Sequence, residues 1–301
     1  MSEIIDLQTE MEEEQQERDL EPSQNEDSVS GLNSKIKIGI LGSGPIANSV
    51  RVLFSTREAD TEIFEDVDSC INWQPNISFI CLPTVLDHKD AVDDLAIINA
   101  VQKLILHSTG GIALKSAVSP DTISRINSAI DNEAFLNRFC YNPEVYDSED
   151  VESIINPELV LVGGFPKSAA ALVDVYQKYS NLIIRDVEVC NPLEAAFVKL
   201  AISGYRAVKQ TFFNQLYEFA SEYDNINWSS VRTTFSRRDL NKELTTTIPS
   251  FIRAKGELDL SNKEAKSHKG EYLNRDVKIF AALTDQIPLI DECVNFKNLK
   301  D

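Results

Sequence analysis

The clearest candidate for chemistry in this sequence is a glycine-rich turn, GSGPIA at 42–47, which has the form GxGxxA. It follows a β-branched run, KIKIGIL at 35–41, and opens a helical pattern at 45–56 whose first residue is proline. Glycines there let the backbone approach a pyrophosphate, and the helix N-terminus supplies N–H donors. This context predicts a dinucleotide site, and the alternative is a turn without a ligand. The predicted contact residues are Gly42, Gly44, Pro45 and Ile46.

A dinucleotide site of this type also needs an acidic residue about 20 positions further along the chain, where the carboxylate holds the ribose. The next β-branched and aromatic run predicts a second strand near 61–64. Two acids, Glu65 and Asp66, follow it directly. Their positions in the sequence do not separate them, so both are candidates.

The cysteines and histidines are not spaced as metal ligands or as disulfide partners. The five cysteines are odd in number, lie far apart and include no CxxC pair, and the three histidines are equally scattered. We therefore predict no metal site, no disulfide framework and a reducing, cytoplasmic location. The residues concerned are Cys70, Cys81, Cys140, Cys190, Cys293, His88, His107 and His268.

The charge of the chain argues against several classes of function. The formal net charge of −19 opposes binding to nucleic acid or to an anionic membrane surface. No stretch approaches the ~20 apolar residues of a membrane-spanning helix, and the N-terminus has no signal or transit pattern. Residues 1–34 hold 11 of the 48 acids and one base, which predicts a disordered acidic tail. The tail either binds a partner or only keeps the protein in solution.

Strand and helix patterns alternate along 35–187, which predicts an α/β fold with a doubly wound, parallel, Rossmann-like sheet. A single long helix is predicted at 193–223, followed by a small all-α region. The other predicted strands are 77–82, 112–115, 139–142, 159–163 and 182–187, and the other predicted helices are 94–106, 119–130 and 167–179. The predicted domains are the tail at 1–34, a dinucleotide-binding domain at 35–188 and a helical, dimer-forming domain at 189–301.

Seven segments, in order along the chain, resemble motifs of the UDP-glucose/GDP-mannose dehydrogenase family. ISFICLPT at 77–84 resembles the strand that ends in a V-P-T turn beside the cofactor. IALKSAVSPDT at 112–122 resembles a K-S-T-V-P-P-G-T segment, and YNPEVY at 141–146 resembles an N-P-E-F-L turn. The other four segments are DDLAIINAV at 93–101, INPELVLVGG at 155–164, AAFVKLAISGYRAVKQTFFNQLYEFA at 195–220 and KGEYLNRDVKIF at 269–280.

The resemblance implies an NAD-linked oxidation of a nucleotide sugar. Members of this family oxidise a sugar 6-hydroxyl to a carboxylate in two hydride transfers. A lysine and an aspartate assist the first transfer, and a cysteine thiolate adds to the aldehyde before the second. The resemblance also implies a homodimer formed through the 193–223 helix. It adds Pro83, Thr84 and Ser116 to the predicted cofactor contacts.

Only part of the family's catalytic set is present. By resemblance, Lys199 is the catalytic lysine, Asp276 positions water and the oxyanion, and Glu144 is the first glutamate of the N-P-E turn. Ser203 stands one helical turn after the lysine, where the family has asparagine. Tyr272 stands in place of the nucleophilic cysteine, and a phenol of pKa near ~10 is mostly neutral at pH 7.

Two interpretations therefore remain. A dinucleotide site with Lys199 as general base could support one alcohol-to-aldehyde oxidation, so we expect the four-electron oxidation to be impaired. The alternative is a non-catalytic protein derived from this family, which binds NAD or nothing and acts by contact. Ala117 and Ser148 also replace a threonine and a glutamate of the family, and the sequence to Asp301 shows no second α/β domain.

Overall fold

The computed structural model of this chain describes seven stretches of sequence, which are residues 35–86, 92–130, 132–145, 159–181, 186–235, 271–283 and 287–298. The acidic tail predicted at 1–34 lies outside them. The strands are β1 (Ile36–Leu41), β2 (Ala59–Phe64), β3 (Ile77–Ile80), β4 (Val85–Leu86), β5 (Val92–Asp93), β6 (Gly111–Leu114), β7 (Phe139–Tyr141), β8 (Leu159–Gly164) and β9 (Asp186–Cys190). The helices are α1 (Pro45–Leu53), α2 (Val67–Trp73), α3 (Leu95–His107), α4 (Pro120–Ala129), α5 (Glu133–Leu136), α6 (Pro166–Tyr179), α7 (Pro192–Ala220), α8 (Trp228–Phe235), α9 (Glu271–Leu283) and α10 (Pro288–Asn298).

Seven of the strands form one sheet in the order β2-β1-β3-β6-β7-β8-β9. Neighbouring strands run parallel except β7 and β8, which are antiparallel. The predicted Rossmann-like α/β fold is therefore confirmed, with one antiparallel pair that the alternating pattern did not reveal. The strand order turns back between β1 and β3, and in open α/β sheets ligands bind outside the carboxyl ends of the strands at such a point.

The central strands are buried on both faces because helices cover both sides of the sheet. Successive residues face opposite layers. Ile40 and Phe79 pack in the cluster that includes α1 and α6, whereas Leu41 and Ile80 pack in the cluster that includes α3 and α4. This two-sided burial explains why these strands are continuous apolar runs in the sequence.

Helix α7 is the long helix that the sequence predicts, and its 29 residues span about 43 Å. A capping box starts it, in which the Asn191 side chain accepts from the Glu194 N–H (2.9 Å) and the Glu194 carboxylate accepts from the Asn191 N–H (3.0 Å). The helix packs on β8 and α4 and, further along, on α9 and α10. A side-chain carbon at Gly204 would lie 2.8 Å from the Phe280 ring of α9, so glycine permits this close approach.

Some elements differ from the prediction. Helix α2 was not predicted, because seven residues give too little periodicity to distinguish a helix from a loop. The last strand of the sheet begins at Asp186, and the earlier part of the predicted 182–187 strand lies outside the described residues. The proposed domain boundary near residue 188 stays a prediction. Among the described helices, none is long and apolar enough to cross a membrane.

Candidate functional site

The glycine turn has the geometry that close approach of the backbone requires. Gly42 has a φ of +119°, and a side-chain carbon there would lie 2.6 Å from the Cys81 carbonyl oxygen at the end of β3. Gly42 is therefore needed by the fold itself. Gly44 is different, because a side-chain carbon on it would meet no atom within 4 Å. Gly44 is the N-cap of α1 and makes no side-chain cap, so open space lies before the helix N-terminus, which fits a bound pyrophosphate.

The structure separates the two acidic candidates at the end of β2. The Gly42 N–H donates to the Phe64 carbonyl (2.8 Å), so Glu65 follows the strand beside the glycine turn and is exposed. Asp66 is the N-cap of α2, and its carboxylate accepts from the Ser69 N–H (2.8 Å) and hydroxyl (2.7 Å). These hydrogen bonds lower the pKa of Asp66 below its ordinary value. Asp66 therefore serves as a helix cap, and Glu65 is the exposed acid that lies next to the glycine turn.

Two loops at the carboxyl edge of the sheet are joined by the polar residues that the resemblance assigned to the cofactor. The Thr84 hydroxyl donates to the Ala117 carbonyl (2.6 Å), and the Ser116 hydroxyl donates to the Leu82 carbonyl (2.6 Å). Thr84 and Ser116 are buried, whereas Pro83, directly before Thr84, is exposed. Thr84 and Ser116 thus shape this edge by holding the loops after β3 and β6 together.

Lys199, Ser203 and Asp276 form one buried cluster although 77 residues separate the first from the last. The Lys199 ammonium lies 2.9 Å from Asp276 Oδ2, and the Ser203 hydroxyl donates to the same oxygen at 3.1 Å. Arg275 contacts the other carboxylate oxygen at 2.9 Å. The i, i+4 spacing on α7 places Lys199 and Ser203 on one face, as predicted, and α9 supplies the acid.

The environment keeps Asp276 ionised. Asp276 is only 1% exposed, and burial by itself would raise the pKa of its carboxyl. The charges of Lys199 and Arg275, together with their hydrogen bonds, outweigh burial and lower the pKa below 3.8. The cluster therefore offers an ammonium donor and a hydroxyl held by a permanent carboxylate.

A second buried lysine pair was missed by the sequence analysis. The Lys115 ammonium lies 2.6 Å from Glu144 Oε1, 3.2 Å from Asn142 Oδ1 and 3.4 Å from the Tyr176 hydroxyl. Burial alone would lower the pKa of Lys115, but the charge of Glu144 and the neighbouring phenol raise it above its ordinary value. In the sequence, Lys115 is the last residue of a predicted strand and the lysine of the segment that resembles K-S-T-V-P-P-G-T, and neither feature signals that its side chain is buried.

Tyr272, which stands where the resembled family has its nucleophilic cysteine, cannot supply a thiolate. Tyr272 lies on α9 one turn before Asp276, and its side chain is outside the described residues, as is Ser148. The five cysteines are all unpaired thiols. Burial raises the pKa of Cys81 to about 12 and of Cys140 to about 11, so both are protonated at neutral pH. Within the described stretches, no three His, Cys, Asp or Glu side chains are grouped as a metal site would require.

Comparison with known proteins places the fold. No protein-family model and no curated protein sequence matches the chain. Many solved structures have a similar fold, and three of them show its range. A UDP-glucose dehydrogenase from Pyrobaculum islandicum has a TM-score of 0.65 and 16% identity, over 90% of this chain and 70% of that one. A UDP-D-ManNAc dehydrogenase from Pyrococcus horikoshii has a TM-score of 0.63 and 15% identity, over 86% and 68%.

The third structure is a 3-hydroxyisobutyrate dehydrogenase from Mycobacterium tuberculosis, with a TM-score of 0.59 and 11% identity, over 87% of this chain and 92% of that one. At these identities the likeness shows the fold, which is the fold of NAD-binding dehydrogenases. It spans enzymes named for nucleotide sugars and for a hydroxy acid, so it leaves the reaction of this chain undecided.

We expect the two acids after β2 to respond differently to mutation. Glu65→Gln should weaken NAD binding about tenfold, because a charge-assisted hydrogen bond to the ribose is lost, and leave stability unchanged. Asp66→Ala should leave NAD binding unchanged and lower the unfolding temperature, because α2 loses its cap. Isothermal titration calorimetry and thermal unfolding measure the two effects. The reverse pattern would assign the ribose to Asp66.

Asp276 should make stability depend on pH. Since its pKa in the folded protein lies below 3.8, its stabilising contribution is complete above that value and is lost as the pH falls through the folded pKa. We expect Asp276→Asn to be less stable than wild type at pH 7 and to lose less stability on acidification to pH 3. Urea unfolding over this range measures the change. Asp174→Asn, which removes an exposed pair with Lys178, is the control; equal acid losses in wild type and Asp276→Asn would contradict the assignment.

Proposed function

We propose that this protein is an NAD-linked oxidoreductase that interconverts an alcohol and a carbonyl in one two-electron step. The observation that carries the proposal is the buried Lys199–Asp276 pair, 2.9 Å apart, which α7 and α9 bring together beside a sheet of the NAD-binding dehydrogenase type. Burying both charges costs desolvation energy, and charged groups in such surroundings are candidates for a functional site.

The chain's own residues would bind the cofactor and move the proton. Gly42 sets the turn, Gly44 leaves room for the pyrophosphate before α1, and Glu65 would hold the ribose. When bound, NAD supplies the hydride acceptor for alcohol oxidation. In the reducing direction the Lys199 ammonium donates its proton to the carbonyl oxygen. In the oxidising direction Lys199 first loses a proton to solvent, and the neutral amine then accepts the hydroxyl proton. Ser203 and Asp276 orient Lys199.

A nucleotide sugar is the proposed substrate class, on the strength of the motif resemblance and of the two nucleotide-sugar dehydrogenases with the same fold. The reaction should stop at the aldehyde. A second hydride transfer needs a thiolate adduct, and Tyr272 stands where the family has its cysteine. Burial keeps Cys81 and Cys140 protonated. The five unpaired thiols agree with the cytoplasm as the proposed location.

A non-catalytic protein that binds NAD is the second candidate function. The observation that favours it is that the Asp276 carboxylate already has three partners inside the protein, namely Lys199, Ser203 and Arg275. Such a cluster can be structural, holding α9 against α7 without touching a substrate. Retained NAD affinity without turnover would distinguish this candidate.

The hydride yield per sugar tests the proposal. Purified protein with excess NAD and a limiting amount of UDP-glucose, then GDP-mannose, should form one NADH per sugar, read at 340 nm. Lys199→Met should reduce kcat at least about 100-fold, because the proton acceptor is lost. Lys209→Met, on the same helix, is the matched control. Two NADH per sugar would show a complete four-electron enzyme, and no NADH with NAD still bound would favour the non-catalytic candidate.

We also propose a homodimer formed through α7. Large apolar side chains remain more than half exposed along one face of this helix, namely Phe197, Tyr205, Phe212 and Phe219. Beside the first two lies a groove of about 440 Å³, which also borders Ala201 and Ile202. An apolar row of this length on one helix suits a self-complementary contact with the same row of a second copy.

Sedimentation velocity tests the dimer. Wild type should sediment near twice the chain mass of 33.7 kDa, whereas Phe212→Glu should sediment as a single chain, because a charge would be buried at the contact. Leu106→Glu changes a more exposed apolar residue on α3 (65% against 52% for Phe212) and should remain dimeric. A wild-type protein that stays monomeric at micromolar concentration would rule the proposal out.

A further inference from the structure

Lys115 is an unusual residue for the end of a strand, because its side chain is only 4% exposed and all three of its N–H groups have protein partners. Glu144, Asn142 and Tyr176 supply those partners, from the turn after β7 and from α6. The Tyr176 hydroxyl donates to Asn142 Oδ1 (2.6 Å), and the Asn142 amide donates to the Leu161 carbonyl on β8 (2.7 Å). We call these four residues, Lys115, Asn142, Glu144 and Tyr176, the Lys115 cluster.

The cluster ends at the edge of the sheet where the candidate site lies. Tyr176 packs against Phe54 and Phe79 in the core, whereas the Glu144 side chain is 21% exposed. Its buried end is therefore rigid, and its carboxylate end reaches solvent at the carboxyl edge.

The turn that Lys115 holds also contacts helix α7. Val145 follows Glu144, and its carbonyl accepts a hydrogen bond from the Arg206 guanidinium (2.9 Å). Arg206 lies seven residues after Lys199, two turns along the same face of α7. Turn 142–145 thus has β6 on one side, through Lys115, and the Lys199 face of α7 on the other, through Arg206.

We propose that Lys115 is a positioning residue. Its buried pair with Glu144 holds turn 142–145 in place. That turn fixes the Glu144 carboxylate and the Lys199 face of α7 relative to the carboxyl edge of the sheet. The inference rests on the proposed function of that site. A buried ion pair gives little net stability compared with apolar residues of equal volume, so stability alone does not account for it. A side chain displaced by about 1 Å can cost on the order of 100-fold in rate.

Kinetics and a crystal structure of variants test this inference. The variants are Lys115→Met, Glu144→Gln and the double variant, assayed with NAD and UDP-glucose well below their unfolding temperatures. Each single change should lower kcat about 10- to 100-fold with the KM for NAD unchanged, and the double variant should lose no more than either single variant. In the Lys115→Met crystal structure, the Val145 carbonyl should no longer lie within hydrogen-bond distance of Arg206.

Two further variants complete the design. Lys103→Met removes an exposed pair with Asp68 and should change neither kcat nor the turn. Tyr176→Phe removes one hydroxyl and keeps the charge pair, so it replaces Lys115→Met in both measurements if the latter does not fold, with a several-fold loss of kcat expected.

Different results would reject the positioning role of Lys115 and the proposed reaction. Absence of turnover in wild type would reject the proposed reaction, and the crystal structure would still decide the positioning role. A folded Lys115→Met protein with an unchanged 142–145 turn would overturn that role, and so would one with wild-type kcat.

Discussion

The buried contact between Lys199 and Asp276 is the interaction on which the rest of the candidate site depends. It joins α7 to α9, two helices that are far apart in the sequence. Both side chains are buried at the point of contact. Desolvating two charges is unfavourable unless further hydrogen bonds satisfy them, and Ser203 and Arg275 provide those bonds. The close packing at Gly204 and Phe280 keeps the two helices at the distance that the ion pair needs.

A second constraint acts at the opposite end of the site. The carboxyl ends of β1 and β3 approach so closely that no side chain fits at Gly42, and this contact sets the turn that opens α1. The next glycine faces open space, so one glycine serves the fold and the other leaves room for a ligand. The loops after β3 and β6 are then held together through Thr84 and Ser116, which makes the edge of the sheet a single rigid surface.

Turn 142–145 is bonded both to the sheet and to α7. Lys115 reaches it from the sheet and Arg206 reaches it from α7, so the orientation of Glu144 depends on both halves of the fold. Burial raises the pKa of the Cys81 and Cys140 thiols, so both stay protonated and contribute to core packing.

The sequence by itself determined what depends on local pattern. The alternation of strands and helices, the glycine turn and the long helix α7 all arise from neighbouring residues, and each is observed close to its predicted place. The helical spacing of Lys199 and Ser203 was likewise readable, because i, i+4 residues share a face. The short helix α2 could not be predicted, because the sequence does not show which of Glu65 and Asp66 caps a helix.

Only the tertiary structure decided which distant groups meet. It showed that Asp66 caps a helix and Glu65 does not, and that β8 pairs antiparallel with β7. It also brought together the four residues of the Lys115 cluster. A lysine at a strand end has the same local signal whether it points to water or into the core. Its burial is set by elements up to 61 residues away, and the energy of an ion pair depends on that burial more than on the residue types.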